Sequence, residues 1–163
     1  MKLARPLCSA LIFTGIAGCA SLPALPPVDL HQPDWTILEG QAVWRRDRHS
    51  PEIAGDILVA TKTDGSAFVA FTKTPFTMVL AQRRPDVWQI ESPSNKSRWT
   101  GRGEPPARLL WFKLPFVARG DAPARGWSVK SQSPQNWRLE SDSNGESVEV
   151  WLPATAKIIE VPR

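Results

Sequence analysis

From Trp35 onward, apolar residues recur in short runs, mostly at alternate positions, and turn-forming residues separate the runs. A period of two is typical of strands, and Asp64-Gly65 and Asn144-Gly145 are strong hairpin signals. The pattern predicts about ten antiparallel strands. They lie at Trp35–Arg46, Ile53–Thr63, Ser66–Lys73, Phe76–Arg83, Val87–Ser92, Asn95–Thr100, Gly126–Ser131, Asn136–Ser141, Glu146–Leu152 and Ala156–Val161.

One stretch interrupts the strand pattern. Pro105 and Pro106 can open a helix, and the residues that follow contain good helix formers and no breaker. The pattern therefore predicts one short helix over Glu104–Leu114, ended by Pro115. A sheet of about ten twisted strands tends to curl or split, so the single domain at 35–163 is expected to be a barrel, an incomplete barrel or a sandwich.

The strand faces predict which residues meet the interior. In the fourth strand, Phe76, Met78 and Leu80 share one face, and Val79 and Ala81 share the other. Because the second face is only partly polar, it needs cover from the helix or from a membrane surface, or it stays mildly apolar. The pattern alone does not separate a packed core from a hollow one, although two-sided apolarity together with a predicted membrane location favours a hollow.

The N-terminal stretch predicts the location of the chain. Lys2 and Arg5 precede a run of about ten apolar residues that is too short to span a bilayer, as in a secretory signal peptide over residues 1–18. Ile16-Ala17-Gly18-Cys19 resembles a bacterial lipobox, which implies cleavage before Cys19 and its acylation. An ordinary signal peptide or an N-terminal membrane helix is the alternative.

Composition narrows the remaining possibilities. Removal of residues 1–18 leaves 18 basic and 16 acidic side chains, so the high isoelectric point gives no reason to expect nucleic-acid binding. Residues 19–34, rich in proline, are expected to form an extended tether with little to bury. Ala20-Ser21, directly after the acylated cysteine, resembles a sorting signal for the outer membrane. His31 and His49 stand apart from other ligand or catalytic residues, so no metal, cofactor or enzyme activity is expected.

Several segments together resemble the LolA/LolB group of periplasmic lipoprotein carriers and receptors. Leu38 to Val43 resembles the opening strand of that group, and Phe71 to Ala81 resembles its strand, Pro-containing turn and returning strand. Pro105 to Phe112 is similar to its short helix, and Gly126 to Val129 to the strand that follows. The resemblance implies an incomplete antiparallel barrel with a helical lid, anchored as a monomer in the outer membrane on its periplasmic side.

The resemblance also implies a function. The apolar concave face would hold acyl chains of lipids or lipoproteins, received from a periplasmic carrier protein and passed to the membrane. Phe76 and Phe116, each next to a proline, are candidate membrane contacts. The expected cavity residues are Trp44, Val69, Phe71, Met78, Leu80, Trp88, Leu110 and Trp111. The alternative function is a structural or assembly lipoprotein whose solid core supports docking of a protein partner.

Overall fold

The computed structural model describes residues 22–133 and 135–153. Within these residues the chain is mainly β, with nine strands, one α-helix and two short 3-10 helices at Pro93–Asn95 and Leu110–Phe112. The strands are β1 Thr36–Arg45, β2 Ile53–Thr61, β3 Ala67–Lys73, β4 Phe76–Arg84, β5 Val87–Ser92, β6 Ser97–Arg102, β7 Trp127–Ser133, β8 Asn136–Ser141 and β9 Ser147–Trp151; the α-helix is α1, Leu114–Ala118.

All nine described strands form one antiparallel sheet in the order β6-β5-β4-β3-β2-β1-β9-β8-β7. This confirms the prediction of a mainly β fold with one antiparallel sheet and one short helix. The sheet is not closed into a barrel, because β6 and β7 are its two edges among the described residues. The tenth predicted strand, Ala156–Val161, lies outside the described residues.

The sheet curves around one core. Every described strand except β6 contributes side chains to a single contiguous cluster of buried apolar residues. A flat sheet of this size would be roughly 38 Å wide, because neighbouring strands lie about 4.8 Å apart. The adjacent residues Trp111 and Phe112 contact Trp44 on β1 and Trp88 on β5, which are four places apart in the sheet, so the inner face must be concave.

Glycines stand where neighbouring strands approach each other on the inner face. A Cβ atom on Gly40 would collide with the backbone carbonyl of Trp151, and one on Gly55 would collide with that of Thr72. Glycine inside a strand is typical of such close backbone approaches and of bends in curved sheets. These two positions therefore contribute to the curvature.

The connection between β6 and β7, residues 103–126, is named the crossing segment because it joins the two edges of the sheet. It packs against the inner faces of β2, β3 and β4. Leu110, Trp111, Phe112 and Leu114 are all buried there, so this segment supplies the apolar cover of the concave side.

The helix within the crossing segment starts later than predicted. The expected helix at Glu104–Leu114 is wrong in position, because α1 spans Leu114–Ala118. Pro115 lies in the first turn of α1. A proline is tolerated there because its missing N–H has no partner within the helix, so Pro115 helps to begin the helix instead of ending it.

The predicted faces of β4 are also corrected. Phe71 pairs with Val79 and Thr72 pairs with Thr77, so Met78 is an extra residue in a bulge. The alternation that begins at Phe76 therefore slips by one residue. Val79 faces the core, whereas Leu80 points to the opposite face.

Part of the outer face is covered by the proline-rich residues 22–35, named the strap. The backbone N–H of Leu25 donates a 2.7 Å hydrogen bond to the side-chain oxygen of Gln89 on β5. The side-chain amide of Gln82 on β4 donates to the carbonyl of Pro26 at 3.3 Å. Both glutamines are buried, although no residue of the strap is itself buried.

The strap continues across the sheet toward β1. The Trp35 indole N–H donates to the carbonyl of Asp29 at 3.1 Å, and the Lys62 ammonium lies 4.9 Å from the centre of the Trp35 ring. Ile37 on β1 and Ala60 on β2 are buried without belonging to the inner core, so they are covered on the outer side. The strap thus answers the need for cover that the two-sided apolar strands predicted.

Candidate functional site

The candidate site is a groove of about 320 Å³ on the inner side of the sheet. It lies between the crossing segment, strands β4 to β6, the end of β1 and the start of β9. Its lining is Trp44, Arg46, Val79, Ile90, Glu91, Ser92, Asn95, Trp99, Arg108, Leu109, Leu110, Trp111 and Glu146.

The middle of the concave face is filled by aromatic rings. The centre of the Trp111 ring lies 5.3 Å from that of Trp44 and 5.5 Å from that of Phe71. Trp44 and Phe71 are themselves in edge contact, with centres 6.2 Å apart. The expectation of an empty centre is therefore wrong, and the groove lies beside this aromatic cluster.

Three of the predicted cavity residues line the groove: Trp44, Leu110 and Trp111. Trp44 is in place because its position on β1 faces inward beside Ala42. Leu110 and Trp111 belong to the 3-10 turn Leu110–Phe112, which holds both side chains against the sheet.

The other five predicted residues do not line the groove. Val69 and Phe71 are buried in the packed core, and Trp88 is in edge contact with Phe112, with ring centres 5.8 Å apart. Met78 is the half-buried bulge residue that packs against the core. Leu80 lies on the outer face because of the slipped alternation in β4.

Trp99 is the most informative residue that the sequence analysis missed. It pairs with Ile90 across β5 and β6, so it faces inward at the edge of the sheet, and 56% of it is exposed. A tryptophan between polar neighbours in a short strand was a usable signal, because a large ring at an edge position has little core to enter. Its indole forms one wall of the groove.

Charged groups surround the mouth of the groove. Arg46 and Arg108 are exposed, and the Arg46 guanidinium lies 5.8 Å from the centre of the Trp44 ring. The Trp44 indole N–H donates a 3.2 Å hydrogen bond to a carboxylate oxygen of Glu146. Burial raises the pKa of the Glu146 carboxyl, although the Trp44 hydrogen bond and the Arg46 charge lower it in part.

The two candidate membrane contacts have different surroundings. Phe76 begins β4 at the turn that follows β3, and 63% of it is exposed. Phe116 lies within α1, half-buried between the guanidinium groups of Arg83 and Arg119, which are 5.8 and 5.0 Å from its ring centre. Of the two, only Phe76 presents a free aromatic tip.

No helix in residues 22–133 and 135–153 is long and apolar enough to cross a membrane. In the same part of the chain, no group of three or more histidine, cysteine, aspartate or glutamate side chains could hold a metal ion. Comparison of the sequence with protein-family models and with curated proteins finds no match.

The raised pKa of Glu146 predicts a pH-dependent stability difference. A carboxyl whose folded-state pKa is raised stabilises the fold below its unfolded pKa, and this contribution is lost as pH rises through the folded pKa. Glu146→Gln keeps an oxygen acceptor for Trp44 and removes the half-buried charge. The variant is expected to unfold at higher urea concentration than the natural chain at pH 7, with the gain shrinking toward pH 4.

The control is Asp142→Asn, which removes an exposed charge from the same hairpin. It is expected to leave the urea midpoint nearly unchanged at both pH values. A Glu146→Gln variant that is less stable at pH 7 would show that attraction to Arg46 outweighs burial.

Proposed function

We propose that this chain is a lipid-anchored outer-membrane protein that binds an acyl chain in the groove. The observation that carries the proposal is the groove itself. It is an open apolar trough bordered by Trp44, Trp99 and Trp111 on the concave side of a curved sheet. Its volume of about 320 Å³ falls at the small end of the range for ligand pockets, about 300–1,000 Å³.

The form of the sheet supports the proposal. An open curved sheet with a segment across its concave face corresponds to the incomplete barrel with a lid that the LolA/LolB resemblance implies. In this proposal the crossing segment is the lid, and Trp111 is the side chain that fills the barrel where the lid meets it. One hydrocarbon chain lies beside that ring, between Ile90, Leu109 and Trp99.

The groove suits a chain with a charged end. Each methylene group that leaves water stabilises the bound state by about 0.8 kcal/mol but makes no directional contact. The groove would therefore distinguish poorly between chains of similar length. Arg46 and Arg108 stand exposed at the mouth and can pair with a carboxylate or phosphate. The proposed ligand is therefore the acyl chain of an anionic lipid or of a lipoprotein.

The location completes the proposal. Acylation of Cys19 would hold the domain at the outer membrane on its periplasmic side, where lipoprotein acyl chains arrive on a carrier protein and enter the bilayer. The proposed reaction is transfer, without any covalent step. Cys19 lies outside the described residues, so this part of the proposal depends on the lipobox resemblance.

A second candidate is supported by the aromatic cluster. Trp44, Phe71 and Trp111 fill the middle of the concave face, as a structural or assembly lipoprotein with a solid core would require. Such a protein would use its surface to dock a partner and would bind no hydrocarbon chain. The following experiment separates the two candidates.

Trp99→Ala tests the groove without disturbing the packed core, because more than half of that ring is exposed. The mature chain with Cys19→Ala is titrated with a fluorescent fatty acid. Saturable binding that unlabelled fatty acid displaces is expected. Loss of the Trp99 contact costs about 1–2 kcal/mol, which weakens binding roughly 5- to 30-fold.

Trp151→Ala is the matched control. Trp151 is 37% exposed at the end of β9 and does not line the groove, so its removal is expected to leave the affinity unchanged. A well-folded chain that binds no fatty acid would support the structural candidate. Equal weakening by both variants would show that binding occurs outside the groove.

Phe76 is proposed to insert into the bilayer. A large apolar ring that is 63% exposed at a turn gains free energy when it enters the hydrocarbon region. Phe76→Glu in the mature chain with Cys19→Ala is expected to lower binding to uncharged phosphatidylcholine vesicles several-fold in a co-sedimentation assay. Phe116→Glu cannot serve as the control because Phe116 packs between two arginines, so Thr74→Glu, an exposed change on the same turn, is used.

The comparison isolates the ring from the added charge. If Phe76→Glu and Thr74→Glu lower vesicle binding equally, the charge alone is responsible and Phe76 does not insert. If neither variant changes binding, this turn does not contact the bilayer.

A further inference from the structure

The edge strand β6 has an unusual surface. The exposed side chains on and next to it are Lys96, Arg98, Trp99 and Arg102, and no acidic residue occurs between Pro93 and Gly103. Glu91 on the neighbouring strand pairs with Arg98. Among the described residues, neither Lys96 nor Arg102 is within ion-pair distance of a carboxylate, so the edge carries uncompensated positive charge.

The strap determines which edge of the sheet lies near the N-terminal anchor. Its described hydrogen bonds to the sheet run from Gln82 on β4 to Gln89 on β5, and β6 is the next strand. Leu25 makes the contact with Gln89. Leu25 lies only six positions after Cys19, and six residue steps span at most about 20 Å when fully extended.

When the strap is bound to the sheet, the free tether between Cys19 and the domain is therefore shorter. If the whole proline-rich segment were free, the domain could turn any surface toward the bilayer. With Leu25 held on β5, the anchor at Cys19 keeps the β5–β6 side of the sheet within about 20 Å of the membrane. The opposite edge, β7, lies seven places from β5 in the strand order of the sheet.

We propose that the β6 edge is the surface through which this protein rests on a bilayer of anionic phospholipid. The inference depends on the acylation of Cys19 in the proposed function. Lys96 and Arg102 are placed to meet lipid phosphates, because juxtamembrane basic residues are attracted to anionic leaflets. Trp99, on the inward face of the same strand, has the amphipathic ring that is enriched at the boundary between headgroups and hydrocarbon.

Protection of the edge strand against pairing with a second chain would explain the basic residues but not Trp99. Basic residues on an edge strand also prevent pairing with a second chain, so Lys96 and Arg102 alone would be ambiguous. An exposed tryptophan on the same edge works against that protection, because it adds an apolar contact for a second chain. Trp99 also lines the groove, so contact with the bilayer at β6 would place the mouth of the groove beside the lipid.

The orientation can be measured on the acylated protein in vesicles. The mature chain has no cysteine other than Cys19, which acylation blocks, so single cysteines can be added and labelled. Ser94→Cys places a fluorophore beside β6, and Ser131→Cys places one on β7; both serines are exposed. Quenching by phospholipids with a spin label on the headgroup reports which side lies near the bilayer.

In vesicles containing phosphatidylglycerol, the label at 94 is expected to be quenched at least threefold more strongly than the label at 131. Lys96→Glu with Arg102→Glu is expected to abolish the difference, whereas Lys130→Glu, a reversal on β7, is expected to retain it. Without acylation, the double variant should lower binding to these vesicles about tenfold or more. Binding to phosphatidylcholine vesicles should stay the same.

Equal quenching at the two positions, or stronger quenching at 131, would overturn the inference. Oligomers of the double variant, detected by light scattering, would show that the charges guard the edge against pairing and would also overturn it. The fatty-acid titration separates this result from the proposed function, because neither Lys96 nor Arg102 lines the groove. Equal quenching at 94 and 131 without the charge reversals, together with intact fatty-acid binding, contradicts only the membrane surface. Stronger quenching at 94 in a chain that binds no fatty acid contradicts only the groove.

Discussion

The structure depends on the need to cover both faces of one sheet. Its strands carry apolar residues inward, such as Val69 and Phe71, and also outward, such as Ile37 and Ala60. A sheet with one face in water would leave the second set exposed, at a cost of about 25 cal/mol for each Å² of apolar surface. Here the crossing segment covers the concave face and the strap covers part of the convex face.

The two covers are made by irregular backbone, which has its own polar groups to satisfy. The strap meets this need with buried glutamines, since Gln82 donates to Pro26 and Gln89 accepts from Leu25. On the concave side, the indole N–H of Trp127 donates to the carbonyl of Ala107 at 2.9 Å and so ties the crossing segment to β7. Neither segment is a flexible linker. The crossing segment positions Leu110 and Trp111 in the groove, and the strap is held on β4 and β5.

The hairpin ladder could be predicted from the sequence because each strand pairs with its neighbour in the chain wherever a tight turn joins them. Which residues of each strand face inward and which face outward was less predictable. The bulge at Met78 moves one residue out of register, and β4 is apolar on both sides, so alternation offered no way to notice the slip. Pro115 was equally ambiguous, because a proline fits both the first turn of a helix and the position after its end.

The site was less predictable than the fold because it arises from contacts between distant segments. Trp44 and Trp111 are 67 positions apart, and their contact fills the centre that was expected to be hollow. The strap was expected to be a free tether because proline-rich composition is typical of linkers, while its glutamine partners lie more than 50 residues away. Trp99 became significant only when the edge position of β6 placed it beside Ile90.

The central claim is that an acyl chain lies in the groove next to a filled aromatic centre. The most direct test is an NMR titration of the mature chain, with its tryptophan indoles labelled with ¹⁵N, against a fatty acid below its micelle concentration. The account predicts saturable shifts of the indole signals of Trp44, Trp99 and Trp111, while those of Trp35 in the strap and Trp151 on β9 stay in place. Unchanged signals from the three groove tryptophans, with or without shifts elsewhere, would contradict it.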